Sequence, residues 1–181
     1  MIEEQIPPWR QELKSSQKKE GKSPSNRWIQ LATITKNNQP RIRTVVFRGW
    51  LDNDSMLIFT DKRSQKIKDL EDNNNVEILW LFIKSKSQFR FKGQAFKIID
   101  DISYWNNLTE NVKDTWFWPK PGEPLSQNKL VIDTNKIEKP YNFSVFQIKI
   151  DSVDLLKLEK PIHKRYFWNK QDLWRRLEVN P

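Results

Sequence analysis

Three short stretches concentrate the residue types that hold an anion or the edge of a planar ring. The first is Arg43-Thr44-Val45-Val46-Phe47-Arg48, preceded by Arg41 and followed by Gly49. Guanidinium groups are costly to bury unless an anion or a carboxylate pairs with them. A bound phosphate or polarised heterocycle is one solution, and a solvated outer face is the other. Strand alternation puts Arg41 and Arg43 on one face; Arg48 has the opposite parity and reaches the same place only near the strand end at Gly49. The second stretch, Phe59-Thr60-Asp61-Lys62-Arg63-Ser64-Gln65-Lys66, runs from a strand end into a helix start. Thr60 and Ser64 bring hydroxyls, Arg63 and Lys66 bring charge, and the N–H groups of a helix N-terminus favour phosphate. Simple capping by Ser64 beside exposed lysines gives the same pattern. The third is the polar face Gln88, Arg90, Lys92 and Gln94, where the Gln88 amide suits the donor and acceptor edge of a heteroaromatic ring, as does an ordinary solvent-facing strand.

Positioning these groups takes strands joined by short turns. A helix over Arg10 to Glu20, entered through Pro7-Pro8 and left at Gly21, presents a Lys-rich surface and is expected on the outside. Residues 1–27 read as an N-terminal helix and linker arm, and 28–181 as the main domain. Strands are expected at Trp28–Thr35, Arg41–Trp50, Met56–Thr60, Val76–Lys84, Gln88–Ile98 and Val145–Leu158, with polar turn clusters between the first three. Helices are expected over Ser64–Asn73, with Ile67 and Leu70 inward, and over Asp101 to Phe117. Three prolines make Trp118 to Pro124 an irregular loop. Tyr166-Phe167 and Leu173 to Leu177 suggest a closing hairpin. The result is an α+β protein built on an antiparallel β-barrel with peripheral helices. With 4 Gly and no glycine-rich phosphate loop, a doubly wound dinucleotide fold is excluded.

Composition narrows the chemistry further. The chain has 181 residues and no cysteine, which removes disulfides, thiol nucleophiles and Cys-ligated metal. Its single histidine, His163, removes multi-His metal sites. Lys+Arg number 32 against 23 Asp+Glu, a net charge of +9, and residues 1–50 carry ten basic against four acidic side chains. An anionic partner is favoured, whether nucleic acid, a membrane surface or a phosphorylated small molecule. The 9 Trp and 10 Phe argue for a packed core rather than a basic tail. The N-terminus lacks the basic-then-apolar order of a leader, and no apolar run spans a bilayer, so a soluble cytoplasmic protein is expected.

RTVVFR, FTDKRSQK and QFRFKG, in this order and spacing, resemble the motifs of the pyridoxamine 5′-phosphate oxidase-like family of FMN-binding split barrels. The terminal WRRLEVNP is similar to that family's ending, and the resemblance runs from about Trp28 to Pro181. It implies an antiparallel FMN-binding split β-barrel and a homodimer with FMN at the interface. The cofactor would meet Arg43, Thr44, Val45 and Arg48, then Phe59 and Thr60. Its phosphate would lie by Ser64, Gln65 and Lys66, with Gln65 standing where the family carries arginine. Gln88 would touch the ring edge, and Arg165 matches the family's flavin-contacting arginine. His163 is the candidate catalytic group, as acid/base or substrate contact. The vitamin B6 substrate set is reduced: Pro161, Leu156, Leu108 and Val112 occupy positions where the family carries Arg, Trp, Arg and Ser, while Tyr104 is kept. The Trp116–Gly122 segment looks like that of a cyanobacterial-type branch. The implied activity is an FMN-dependent oxidoreductase acting on a small molecule, with dioxygen as the default acceptor and a nicotinamide the next. The rival from another class is a basic barrel binding single-stranded nucleic acid through Phe89 and Phe91. Alternation argues against it, because those rings lie opposite Arg90 and Lys92.

Overall fold

The computed structural model describes residues 6–124 and 138–181; the opening residues of the leader argument, 1–4, lie outside them. Its elements are α1 (Trp9–Glu20), β1 (Trp28–Ile34), β2 (Pro40–Trp50), β3 (Ser55–Asp61), α2 (Gln65–Asp72), β4 (Asn75–Phe82), β5 (Ser87–Ile98), α3 (Ile102–Asn106), α4 (Glu110–Asp114), β6 (Phe143–Lys157), β7 (Lys164–Asn169) and β8 (Leu177–Val179). All strand pairs are antiparallel, in the order β3-β2-β1-β4-β5-β6-β7-β8, and β3 also pairs with β6. That extra pairing closes six strands into a barrel. The 15-residue β6 makes closure possible by changing neighbours along its length. Its first half, Phe143 to Lys149, lies against β3, while Ser152 to Lys157 lies against β7.

Two glycines permit the bends. Gly49, at φ 126°, sits where the β2–β3 register shifts and supplies a backbone conformation that side chains disfavour. Gly93 sits beside the β5–β6 shift; a Cβ there would lie 2.0 Å from the Lys149 carbonyl oxygen.

The interior follows the alternation. Phe89 (0% exposed) and Phe91 (1%) point into the barrel with Ile78, Trp80, Ile148 and Ile150. They are core, not a platform for bases. α1 does lie on the outside with its polar face, but it also drives Trp9 and Leu13 into the barrel. The Trp9 ring meets Trp50, Phe91 and Trp174 at 5.6–5.8 Å. A smaller cluster, Leu57, Trp105, Phe143 and Val145, forms outside β3 and β6 under α3 and α4.

The structure corrects two expected elements. The helix expected over Asp101 to Phe117 is broken into α3, α4 and a 3₁₀ turn at Thr115–Phe117. Asn107 ends α3, and Thr109 is extended (φ −70°, ψ 153°) before α4 begins. The break brings Trp105 and Trp116, which a straight helix would hold about 16 Å apart along its axis, against the same Phe143 ring. The closing hairpin pairs Lys164–Asn169 with Leu177–Val179 rather than with Leu173 onward. Leu173 and Trp174 adopt left-handed conformations, and the turn buries Trp174 against Trp9.

Gly93→Ala is expected to lower the unfolding free energy by about 2–3 kcal/mol, since backbone rather than a side-chain tip must give way. Urea titration measures it, and an unchanged midpoint would contradict the close approach of β5 and β6.

Candidate functional site

α2 lies across one end of the barrel, and its buried Asp69 (3% exposed) gathers what is there. Thr33 Oγ1 donates to Asp69 Oδ2 at 2.7 Å. Arg41 and Arg43 reach the two carboxylate oxygens at 3.2 Å each. Arg43 also donates to Thr33 Oγ1 at 2.6 Å and to the Leu31 carbonyl at 3.2 Å. The shared face of Arg41 and Arg43, expected from alternation, is therefore the inward face beyond the barrel rim.

Lys66, in the first turn of α2, has a different environment. Its Nζ donates to Thr60 Oγ1 and Ser64 Oγ, both at 3.0 Å, and forms no ion pair among the described residues. Burial holds this ammonium below the usual lysine range, the Arg43 charge adds to the effect, and Asp61 opposes it. Ser64 does not cap the helix: its hydroxyl donates to the Asp61 carbonyl at 2.7 Å. Arg43, Ser64, Gln65 and Lys66, with Arg41, Pro121 and Gly122, line a concavity of about 400 Å³. A half-buried cation with only hydroxyl partners, at a helix start with no side-chain cap, is chemically suited to a phosphate.

Arg48 and Phe59 line a second concavity of about 420 Å³ with Arg27, Tyr104, Leu108 and Val112. The Arg48 guanidinium lies 5.2 Å from the centre of the Phe59 ring, and Phe59 meets Tyr104 edge-on at 6.0 Å. Arg48 Nε is buried with no hydrogen-bond partner, and no carboxylate among the described residues pairs with Arg48. Burial lowers the Arg48 pKa, and Arg27 lowers it further. Such a pocket wants an anion on an otherwise apolar, flat body.

Gln88 and Arg165 are elsewhere. The register runs Gln88–Leu156–Arg165 across the outer face of β5, β6 and β7. Arg165 is held by Asp154 at 2.7 Å, and Arg90 reaches the same carboxylate at 2.5 Å. Around the six-strand ring, β5 stands three strands from β2 by either route, about 14 Å of strand spacing and on the opposite wall. One copy of the chain thus brings Arg43, Ser64, Gln65 and Lys66 together, places Arg48 and Phe59 in a separate concavity that shares no lining residue with the first, and leaves Gln88 and Arg165 apart. Thr44 is exposed on the outward face of β2. The Val45 side chain is core, so only its main chain is available to a ligand. His163 is exposed before β7, with Nδ1 3.1 Å from the Glu159 carbonyl.

Sequence reasoning missed Asp69 and Thr33, which fix Arg43, as well as Arg27. It also missed the tie that hangs the Trp116–Gly122 segment on the site. Asp61 receives Arg63 (2.7 Å) and Asn142 (3.2 Å). The same two donors reach the Trp118 and Trp116 carbonyls at 2.9 and 2.8 Å. The one available signal was the i, i+3 spacing of Lys66 and Asp69 on α2, which puts a carboxylate beside the arginine face.

A closed split barrel with a phosphate-type cradle at a helix start defines a flavin-mononucleotide-binding split-barrel protein. Residues 6–99 match the family model described as pyridoxamine 5′-phosphate oxidase, FMN-binding domain, and the chain belongs to that family. It is 28% identical to pyridoxine/pyridoxamine 5′-phosphate oxidase 2 of Arabidopsis thaliana, over 97% of this chain and 98% of that protein. The Hydrogenovibrio crunogenus protein of the same name is 35% identical over 56% of this chain and 48% of its own length. The crystal structure of a pyridoxamine 5′-phosphate oxidase-related, FMN-binding protein from Nostoc punctiforme superposes with TM-score 0.88 at 28% identity, covering 98% of this chain and 100% of that one. PhzG of Burkholderia lata shares the fold at TM-score 0.83 and 14% identity, covering 100% and 97%. The cofactor of the family is FMN, and the uncompensated Lys66 ammonium fits its phosphate. No helix among the described residues is long and apolar enough to cross a membrane.

Two carboxylates, Asp61 beside the candidate site and Asp154 on the opposite wall, set an acid limit. Burial works to raise Asp61 and Asp154, but hydrogen bonds from Arg63 and Asn142 to the first, and from Arg165 and Arg90 to the second, outweigh it and leave both depressed. A depressed carboxyl pKa stabilises the fold above the unfolded value of about 3.9, and that contribution is lost as pH falls through the folded value. Urea midpoints of the native chain should therefore drop steeply below about pH 4. The Asp61→Asn/Asp154→Asn double variant should start lower and fall less; parallel curves would contradict the assignment.

Proposed function

We propose that the chain is an FMN-dependent oxidoreductase that acts, as a homodimer, on a small anionic aromatic molecule other than a vitamin B6 phosphate. When bound, FMN supplies the two-electron redox chemistry, with dioxygen or a nicotinamide as the partner couple. The observation that carries the reading is that Lys66 and Arg48, each lining its own concavity, have no carboxylate partner among the described residues. Lys66, Ser64, Thr60 and Arg43 hold the cofactor phosphate, with Gln65 contributing helix-start N–H rather than charge. The main chain at Thr44 and Val45 would contribute to holding the cofactor, and Phe59 lines the substrate pocket. There Arg48 and Arg27 take the substrate anion, and Tyr104 and Phe59 flank its ring. Leu108 and Val112 make the remaining wall apolar, which disfavours a phosphate needing a full set of donors.

A second copy completes the site. Gln88 and Arg165 lie on the wrong wall to reach a flavin held by Lys66 of the same chain. The outward faces of β1, β2 and β4 also expose Trp28, Ile34, Ile42 and Leu81, an apolar surface that a partner would cover. His163, two residues from Arg165, arrives with it and is the candidate proton-transfer group.

FMN retention after removal of excess flavin tests the cradle. Lys66→Ala and Arg43→Ala should weaken it about ten- to a hundredfold, the worth of a charge-assisted hydrogen bond, while Lys92→Ala should not. Equal retention in all three would contradict the assignment.

A further inference from the structure

α2 covers the barrel end without sealing it. A cavity of about 680 Å³, larger than the two above, lies between the second half of α2, the Asn73-Asn74-Asn75 turn and the facing ends of β5 and β6. Its floor is apolar: Ile67, Leu70, Ala95 and Phe146 all belong to the main core. Its two ends differ. Glu71 and Asp72 lie at one, beside Asn74, whose carbonyl accepts from the Ala95 amide. Lys97 lies at the other, two residues or about 7 Å further along β5. Lys62 joins it there, and its ammonium is held below the usual lysine range by burial and then by the Lys97 charge. Neither lysine forms an ion pair among the described residues; Asp101, the acid that acts on Lys62, is already bound by Lys139. At the lysine end, on β6 between the residues that face Lys97 and Lys62, stands Ser144 (0% exposed), whose buried hydroxyl has no hydrogen-bond partner. A buried hydroxyl without a partner beside two unpaired cations is an incomplete polar site.

We propose that this cavity binds a small amphipathic monocarboxylate, its head on Lys62, Lys97 and Ser144 and its apolar body over Ile67, Leu70 and Phe146. The acidic far end selects against a second carboxylate. The site uses the middle and end of α2, not the Ser64–Lys66 turn, and stands independently of the flavin assignment.

Calorimetric titration of the FMN-loaded protein with octanoate tests it, with octylamine and suberate as controls. Octanoate should bind saturably, one per chain, with Kd at or below about 1 mM. Octylamine and suberate should bind at least about tenfold more weakly. Lys97→Glu, a change at an exposed position, should weaken octanoate by about tenfold or more and leave flavin absorbance unchanged. Ser144→Val should weaken octanoate several-fold. No saturable heat, equal binding of octanoate and octylamine, or unchanged affinity in Lys97→Glu would each overturn the proposal.

Discussion

A carboxylate buried under α2 organises the functional end of this protein. Asp69 accepts from Thr33, Arg41 and Arg43 at once, tying a helix to the rims of two strands. Removing an ion from water is expensive unless its oxygens are fully engaged, and here both are. The same contact decides which charges remain available. Arg41 and Arg43 are largely satisfied by Asp69, whereas Lys66, three residues earlier on the same helix, has hydroxyls alone. The cradle is thus a cation left without a counterion by an arrangement that neutralises its neighbours. A phosphate in the proposed cradle would restore the balance and raise the proton affinity that burial and Arg43 depress.

The second constraint is the long β6, which must serve the barrel and its extension. The bend that Gly93 permits lets β7 leave the ring and carry Arg165 and His163 outward. Groups able to reach a flavin are therefore distributed over opposite walls of one barrel. The proposed homodimer would resolve that distribution, one copy holding the phosphate and the other presenting Gln88 and Arg165 to the ring.

What the sequence discloses depends on how local each signal is. The strand Gln88 to Ile98 was legible because it is half-buried and alternates strictly, and α2 was legible from its inward Ile67 and Leu70. The break between α3 and α4 was not, since it is set by how Trp105, Leu108 and Phe117 pack around Phe143, far along the chain. The role of α1 was half legible. Its lysines marked an outer face, but nothing local says that Trp9 fills the barrel. At the site, the cationic residues were readable from their motifs, whereas their arrangement was not. Arg43 is fixed by a carboxylate 26 residues later, and Arg48 acquires its company from β3 and α3. The Ser64 hydroxyl, expected as a helix cap, instead serves Lys66.

In the proposed homodimer each flavin is shared between two copies. Sedimentation velocity of the FMN-loaded protein, followed at the visible flavin band, tests it most directly. Flavin absorbance should move with a species of twice the 21.9 kDa chain mass, at one flavin per chain. Flavin travelling with a 21.9 kDa monomer, or left behind as free FMN while the protein sediments, would contradict it.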